Sequence, residues 1–318
     1  MGFVNARGAV NAAWAAAALF CLLWSMAFAV SKLALADCPP LLTVAARLLI
    51  AAAVMFAVAV LCRLEWRLAG RDVIVLVVVG VANNALYLGL NLIGMQTVSA
   101  GLAALIASAN PVLTAFVSAS LLDERMTWRK AAGLLLGVAG VAFVAASRIG
   151  RGVESVVGIA CVVAALMSLV AGTILFKRLA PSGGLWIGNS VQNLAGGLAV
   201  APFALLFESV GDIVPSWRLA GAFAFLTLLV SVVGFLLWSY LVTTAGATAA
   251  SACHFLTPPL GFIFGWLLLD ERIAPSDLMG IVPVVLGIYL IARPQAAKAV
   301  PPGAIMRERR PAGTALTS

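Results

Sequence analysis

Asn84, Tyr87 and Asn91 stand at i, i+3 and i+7 in an otherwise apolar stretch, so a helix there carries all three on one face, with Asn83 beside them. Carboxamides and a phenol bond readily to a polar solute but cannot face hydrocarbon unpartnered. That face either lines a cavity or bonds to neighbouring helices, as polar groups do within bilayers. His254, the only histidine, sits in another apolar stretch one turn before Thr257-Pro258. Its imidazole titrates near neutral pH and could handle substrate or proton; a neutral ring bonded to the next helix is the alternative. Trp24 and Trp238 lie well inside their stretches, away from the interfacial positions tryptophan favours, and offer flat apolar walls to a small solute. The candidate substrate-binding set is therefore Trp24, Asn84, Tyr87, Asn91, Trp238 and His254.

Pro111 and the pair Pro258-Pro259 fall inside apolar stretches, where proline removes a backbone donor and crowds the preceding turn. Asn110-Pro111 and Thr257-Pro258 are thus candidate hinges, with passive kinks as the alternative. Arg47 lies about a turn and a half into its stretch, close enough to an interface to snorkel, or else it packs within the bundle; binding a substrate carboxylate is the other reading. No catalytic constellation is visible. There is one histidine, no carboxylate deep in an apolar run, no Gly-x-Ser-x-Gly and no His-Glu-x-x-His. The cysteines Cys21, Cys38, Cys62, Cys161 and Cys253 have no metal-ligand or redox spacing, so neither metal nor cofactor is expected. No Gly-rich phosphate loop is present, which argues against ATP-driven pumping by this chain alone.

The elements that must position these groups follow from composition. Of 318 residues, 63% are hydrophobic and 10% charged, with mean hydropathy +1.11; a soluble domain carries about a quarter charged residues. Continuous apolar runs rather than alternating ones point to membrane helices, because lipid offers backbone groups no partners. Spans are expected near 13–31, 41–62, 73–94, 98–120, 129–146, 155–176, 184–206, 219–241, 247–269 and 277–292, giving an all-α bundle of ten. With the N-terminus inside, the short loops and tail on that side hold 14 Lys and Arg, and the other side holds five: Lys32, Arg148, Arg151, Arg218 and Arg272. That bias predicts both termini in the cytoplasm. The net charge of +8 therefore reports orientation and not nucleic-acid binding.

An internal repeat is the most specific pattern. A shift of 147 residues sets Leu121-Leu122-Asp123-Glu124-Arg125 on Leu268-Leu269-Asp270-Glu271-Arg272, Pro111 on Pro258, Gly133 on Gly280, Gly140 on Gly287 and Asn91 on Trp238. Earlier in each half the shift is about 145, with Arg47 near Gln192. Each unit holds an odd number of spans, so the second must lie inverted in the membrane, as in alternating-access transporters. The organisation is a first repeat at 13–146, a second at 155–292, and a disordered cytoplasmic tail at 293–318. The Asp-Glu-Arg segments read as helix-boundary chemistry. Gly133, Gly137 and Gly140 suit close helix approach, either within the bundle or between two copies, so monomer and dimer both stay open.

The duplicated unit, the stretch Leu23-Trp24-Ser25-Met26-Ala27-Phe28, Pro39-Pro40 followed by Arg47, and the paired Asn110-Pro111 and Thr257-Pro258 resemble the EamA family of the drug/metabolite transporter superfamily. Ser25 departs from the glycine often found there. The resemblance covers about residues 13–292 and implies ten spans, a bacterial inner-membrane location and a central cavity between the repeats. It also implies export of small metabolites by alternating access, with amino acids or related compounds first among them. A broad-specificity drug exporter is the nearest alternative. A non-transporting receptor or an intramembrane enzyme is the alternative of another class, and neither needs two inverted halves. The expected partners are a small-molecule substrate and the lipid bilayer.

Overall fold

The computed structural model describes residues 3–64, 68–121, 127–179, 181, 184–245, 254 and 256–292, with side chains from residue 13 onward. The helices are α1 Phe3–Leu35, α2 Pro40–Leu61, α3 Gly70–Met95, α4 Ala100–Leu121, α5 Trp128–Gly150, α6 Val156–Leu179 and α7 Leu185–Phe207, followed by α8 in the pieces Trp217–Ala224, Phe225–Gly234 and Phe235–Ala245, then α9 Thr257–Leu269 and α10 Pro275–Ala292. Among the described residues every long element is helical. Those from α1 to α8 are long and apolar enough to cross a bilayer, while α9 and α10 are shorter apolar helices. The chain is a multi-pass helical membrane protein. The start of the ninth expected span, most of the first Leu-Leu-Asp-Glu-Arg segment and the expected tail at 293–318 lie outside the described residues.

Two helices depart from regular α geometry. Residues Val81–Leu86 of α3 and Phe225–Gly234 of α8 are π-helical, and a shift of 147 residues places 81–86 at 228–233, inside the second of these. A π turn widens the helix and re-aims the side chains that follow, which is why such turns gather at functional sites. The fourth span is broken at residues 108–109, between Ala100–Ala107 and Asn110–Leu121. Pro111 therefore opens a new helical segment rather than bending a continuous one, and Pro258 likewise occupies the first turn of α9. Proline is well suited there, since its missing N–H has no helical acceptor to lose.

The principal helix pairs are α2 with α7, α5 with α10, α3 with α6 and α7, α4 with α9, and α1 with α8 and α9. Exchanging the halves returns α2–α7, α5–α10 and α4–α9 to themselves, swaps α3–α6 with α8–α1 and α1–α9 with α6–α4, a pair that also packs, and swaps α3–α7 with the smaller α8–α2 contact. Glycines allow the closest of these approaches. A Cβ on Gly140 would stand 2.6 Å from the Gly280 carbonyl oxygen, and one on Gly287 would stand 2.5 Å from that of Gly133. The α5 glycines thus pack inside the bundle, against α10.

Candidate functional site

Where α1, α2, α3 and α8 meet, Trp24, Ser31, Arg47, Tyr87, Asn91 and Val230 enclose a small void of about 40 Å³, closed by Ala27, Phe28, Leu88 and Leu92. A water occupies about 30 Å³, so in this conformation the site is narrowed to a volume far below that of a metabolite. Its polar groups are placed by helix geometry. Arg47 lies between Thr43 and Ala51 on the buried stripe of α2, with the exposed Phe56 on the opposite side. Tyr87 and Asn91 lie one turn apart in the α-helical segment after the π turn of α3.

Arg47 does not snorkel. It is 7% exposed, and its Nε donates to Ser231 Oγ at 3.1 Å. The Ser231 hydroxyl donates in turn to the Leu226 carbonyl at 3.1 Å, a reach of five residues that the π-helical segment of α8 provides. Asn91 is 4% exposed. Its Nδ2 donates to Met95 Sδ at 3.3 Å, and its Oδ1 is buried without a partner.

Trp24 joins this void to an aromatic box. Phe20 stacks on Trp24 with centroids 5.8 Å apart and lies 5.3 Å from Trp238. The His254 ring stands edge-on to Trp24 at 6.3 Å and lies 5.8 Å from Trp238, and no carboxylate among the described residues pairs with it. Of the residues expected to line one cavity, Trp24, Tyr87 and Asn91 do so, and Trp238 and His254 form the adjoining wall. Asn84 does not join them. The π turn at Val81–Leu86 breaks the 3.6-residue phase that put Asn84 on the Tyr87 face, and its Cβ sits against Gly196 of α7, while Asn83 packs on Gly172 of α6. Both amides pack between helices, and Asn83 Oδ1 and Asn84 Nδ2 have no hydrogen-bond partner. The expected hinges are at structural breaks: Asn110 Oδ1 accepts from Thr114 Oγ1 at 3.1 Å, and Thr257 and Pro258 are buried.

The void lies below one heavily bonded end of the bundle. Arg148 holds Glu154 at 2.9 Å and Asp277 at 2.7 Å. Lys32 pairs with Glu271 at 3.4 Å and donates to the Val98 carbonyl at 2.6 Å. The Glu271 carboxylate accepts from the amides of Ala100 and Gly101 at 2.7 and 3.2 Å, capping the positive start of α4. The second Leu-Leu-Asp-Glu-Arg segment therefore does helix-boundary chemistry between the two halves. Asp37, between α1 and α2, accepts from Arg218 and Ser216, and these bonds, Arg218's foremost, hold its carboxyl down to about 2. Four of the five basic residues assigned to the outer face line one recess here, and the fifth, Arg218, pairs with Asp37 at the same end.

Comparison with known proteins places this architecture. The model of the EamA-like transporter family matches residues 12–146 and again 156–293. A Chlamydia muridarum protein named S-adenosylmethionine/S-adenosylhomocysteine transporter is 28% identical over 284 residues, spanning 85% of this chain and 88% of its own. A probable terminal-alkyne amino-acid exporter of Streptantibioticus cattleyicolor is 28% identical over 238 residues, covering 70% of this chain and 74% of its own. One solved crystal structure matches with a TM-score of 0.63 at 21% identity, over 88% of this chain and 96% of that one, and so shares the fold.

Proposed function

The chain belongs to the EamA-like transporter family, a family of membrane transporters, and from that premise we propose that it exports small metabolites, amino acids or related compounds first, across a bacterial inner membrane with both termini in the cytoplasm. The observation that carries this reading is the small void bounded by Trp24, Arg47, Tyr87 and Asn91 where helices of both halves meet. A lipid-facing or purely structural interior would not retain a guanidinium, a phenol and an amide around a shared space. The names of the relatives, a probable terminal-alkyne amino-acid exporter and an S-adenosylmethionine/S-adenosylhomocysteine transporter, fit a polar metabolite.

The halves are read as two inverted repeats, supported by the twofold match of the family model, the exchange-invariant helix pairs and the corresponding π segments. Transport is then alternating access: the halves rock, the breaks before Pro111 and Pro258 flex, and the void opens to one side at a time. The bonded outer end supports a conformation closed to the outside. Purified protein in proteoliposomes preloaded with neutral amino acids tests the reading by counterflow of the labelled amino acid, with and without a pH gradient. Accumulation above protein-free vesicles is expected; no accumulation of any amino acid tested would overturn the amino-acid assignment.

A further inference from the structure

The cations of the outer end, Lys32, Arg148 and Arg218, each have a carboxylate partner. Arg47 has none. Its one hydrogen bond goes to a neutral hydroxyl whose own proton is engaged elsewhere, and its two Nη groups have no hydrogen-bond partner among the described residues. A buried cation is costly unless something compensates its charge. Evolutionarily cheap replacements such as leucine would remove that cost, yet the void is built around this side chain. No Asp or Glu lines the void, so no compensating anion comes from its walls.

Resting on the reading of the void as an amino-acid transport site, we infer that Arg47 is the residue that holds the substrate's carboxylate and so sets a preference for acids over their amides. A guanidinium presents two parallel N–H groups that match the two oxygens of a carboxylate, a geometry that lysine cannot offer. With Nε held by Ser231, the free Nη groups supply that fork. The ammonium end has its own receptor in the same void: Asn91 Oδ1, buried and unpartnered, accepts an N–H, and the ring faces of Trp24 and Tyr87 attract a cation. The substrate's side chain takes the apolar wall of Leu88, Leu92 and Val230. Amines lacking a carboxylate meet an uncompensated guanidinium and are excluded by like charge.

The test compares L-leucine, L-methionine and L-phenylalanine with their C-terminal amides, which keep the ammonium and side chain but lose the carboxylate. In counterflow by the wild-type chain, at least one acid is expected to exceed its amide by tenfold or more. In Arg47→Gln that ratio falls towards one, while Arg47→Lys keeps the preference at a lower rate. Thermal stabilisation of the detergent-solubilised wild type by the acids but not the amides gives a reading that requires no variant to fold. Equal handling of acid and amide by wild type, or an unchanged ratio in a folded Arg47→Gln, overturns the role of Arg47 and leaves the transport reading standing. Failure of wild type to move or bind any acid overturns both.

Discussion

Replacing Arg148 with methionine removes the centre of the charged network at one end of the bundle while keeping most of its side-chain volume. Its Nε and Nη2 grip Asp277 at 2.9 and 2.7 Å, and its Nη1 bonds Glu154 and Ser99, each at 2.9 Å. The three charged side chains are 5%, 1% and 0% exposed in the order Arg148, Glu154, Asp277, so solvent screens them little. Breaking one buried pair costs about 3–5 kcal/mol, because the surviving charge stays buried without its partner. Two pairs share one guanidinium and are not independent. Glu154 also keeps the Ser99 amide and Asp277 keeps the Ala274 amide. The expected total is therefore about 4 kcal/mol, at the single-pair scale, or about 10 °C in melting temperature at ~2–4 °C per kcal/mol. Fluorescence-detected thermal unfolding in detergent measures it. The control is Arg148→Met with Glu154→Gln and Asp277→Asn, which removes the orphaned charges and should recover much of the loss. A single variant melting within about 1 °C of the parent, or a triple variant no better than the single, would refute the charge argument.

Further outcomes follow from the same geometry. Reporter fusions truncated after residues 150 and 214 should be exported, and those after 68 and 128 retained, as the distribution of Lys and Arg requires; a reversed pattern contradicts the topology. Asp37 has its folded pKa lowered to about 2 from an ordinary 3.8, so its contribution is present above pH 4 and fades as pH falls towards 2. The melting difference between wild type and Asp37→Asn should shrink over that window, and a constant difference speaks against the Arg218 contact as its source. Pro111→Ala and Pro258→Ala each remove the ring that bars the helix from running back through the break, and should shift cysteine labelling from the two membrane faces in opposite directions. A bias of only about 1.4 kcal/mol changes the conformational ratio tenfold, and unchanged labelling in both would make the breaks passive.

Where one physical signal dominated, the chain was legible. Apolar length placed α2 at 41–62, and the helix runs Pro40–Leu61. It placed the fifth span at 129–146 within Trp128–Gly150, and the glycines of α5 signalled a close helix approach without telling an internal partner from a second copy; the partner among the described residues is α10. The site was harder because it depends on phase. Tyr87 and Asn91 share a regular α-helical turn and were placed together, but Asn84 lies on the other side of a π turn, which no periodicity argument reports. For Arg47 the sequence left snorkelling and packing side by side, and burial separates them. Depth along a span suggests snorkelling, whereas the side of the helix decides, and only the packing of α2 on α7 and α8 reveals that side. Phe20, the centre of the aromatic box, was missed because a phenylalanine in an apolar helix carries no polar signal.

The distribution of close packing indicates which helices can move. The α5–α10 contact brings backbone against backbone at Gly133, Gly140, Gly280 and Gly287, and neither helix contributes a residue to the void. Sliding that pair would force Cα atoms past carbonyl oxygens already in contact, a stiff coordinate in an interior with little free volume. The void is walled instead by α1, α2, α3 and α8, and two of those four carry the π segments. A π segment stores an unregistered residue, and releasing it rotates everything beyond it on the same helix. Rotation of α3 beyond Leu86 would carry Tyr87 and Asn91 together, and rotation in α8 would withdraw Ser231 from Arg47. The bond that orients the guanidinium is thus on a helix that carries a π segment, and on the proposed mechanism opening the void and freeing Arg47 would be one motion about the α5–α10 pair.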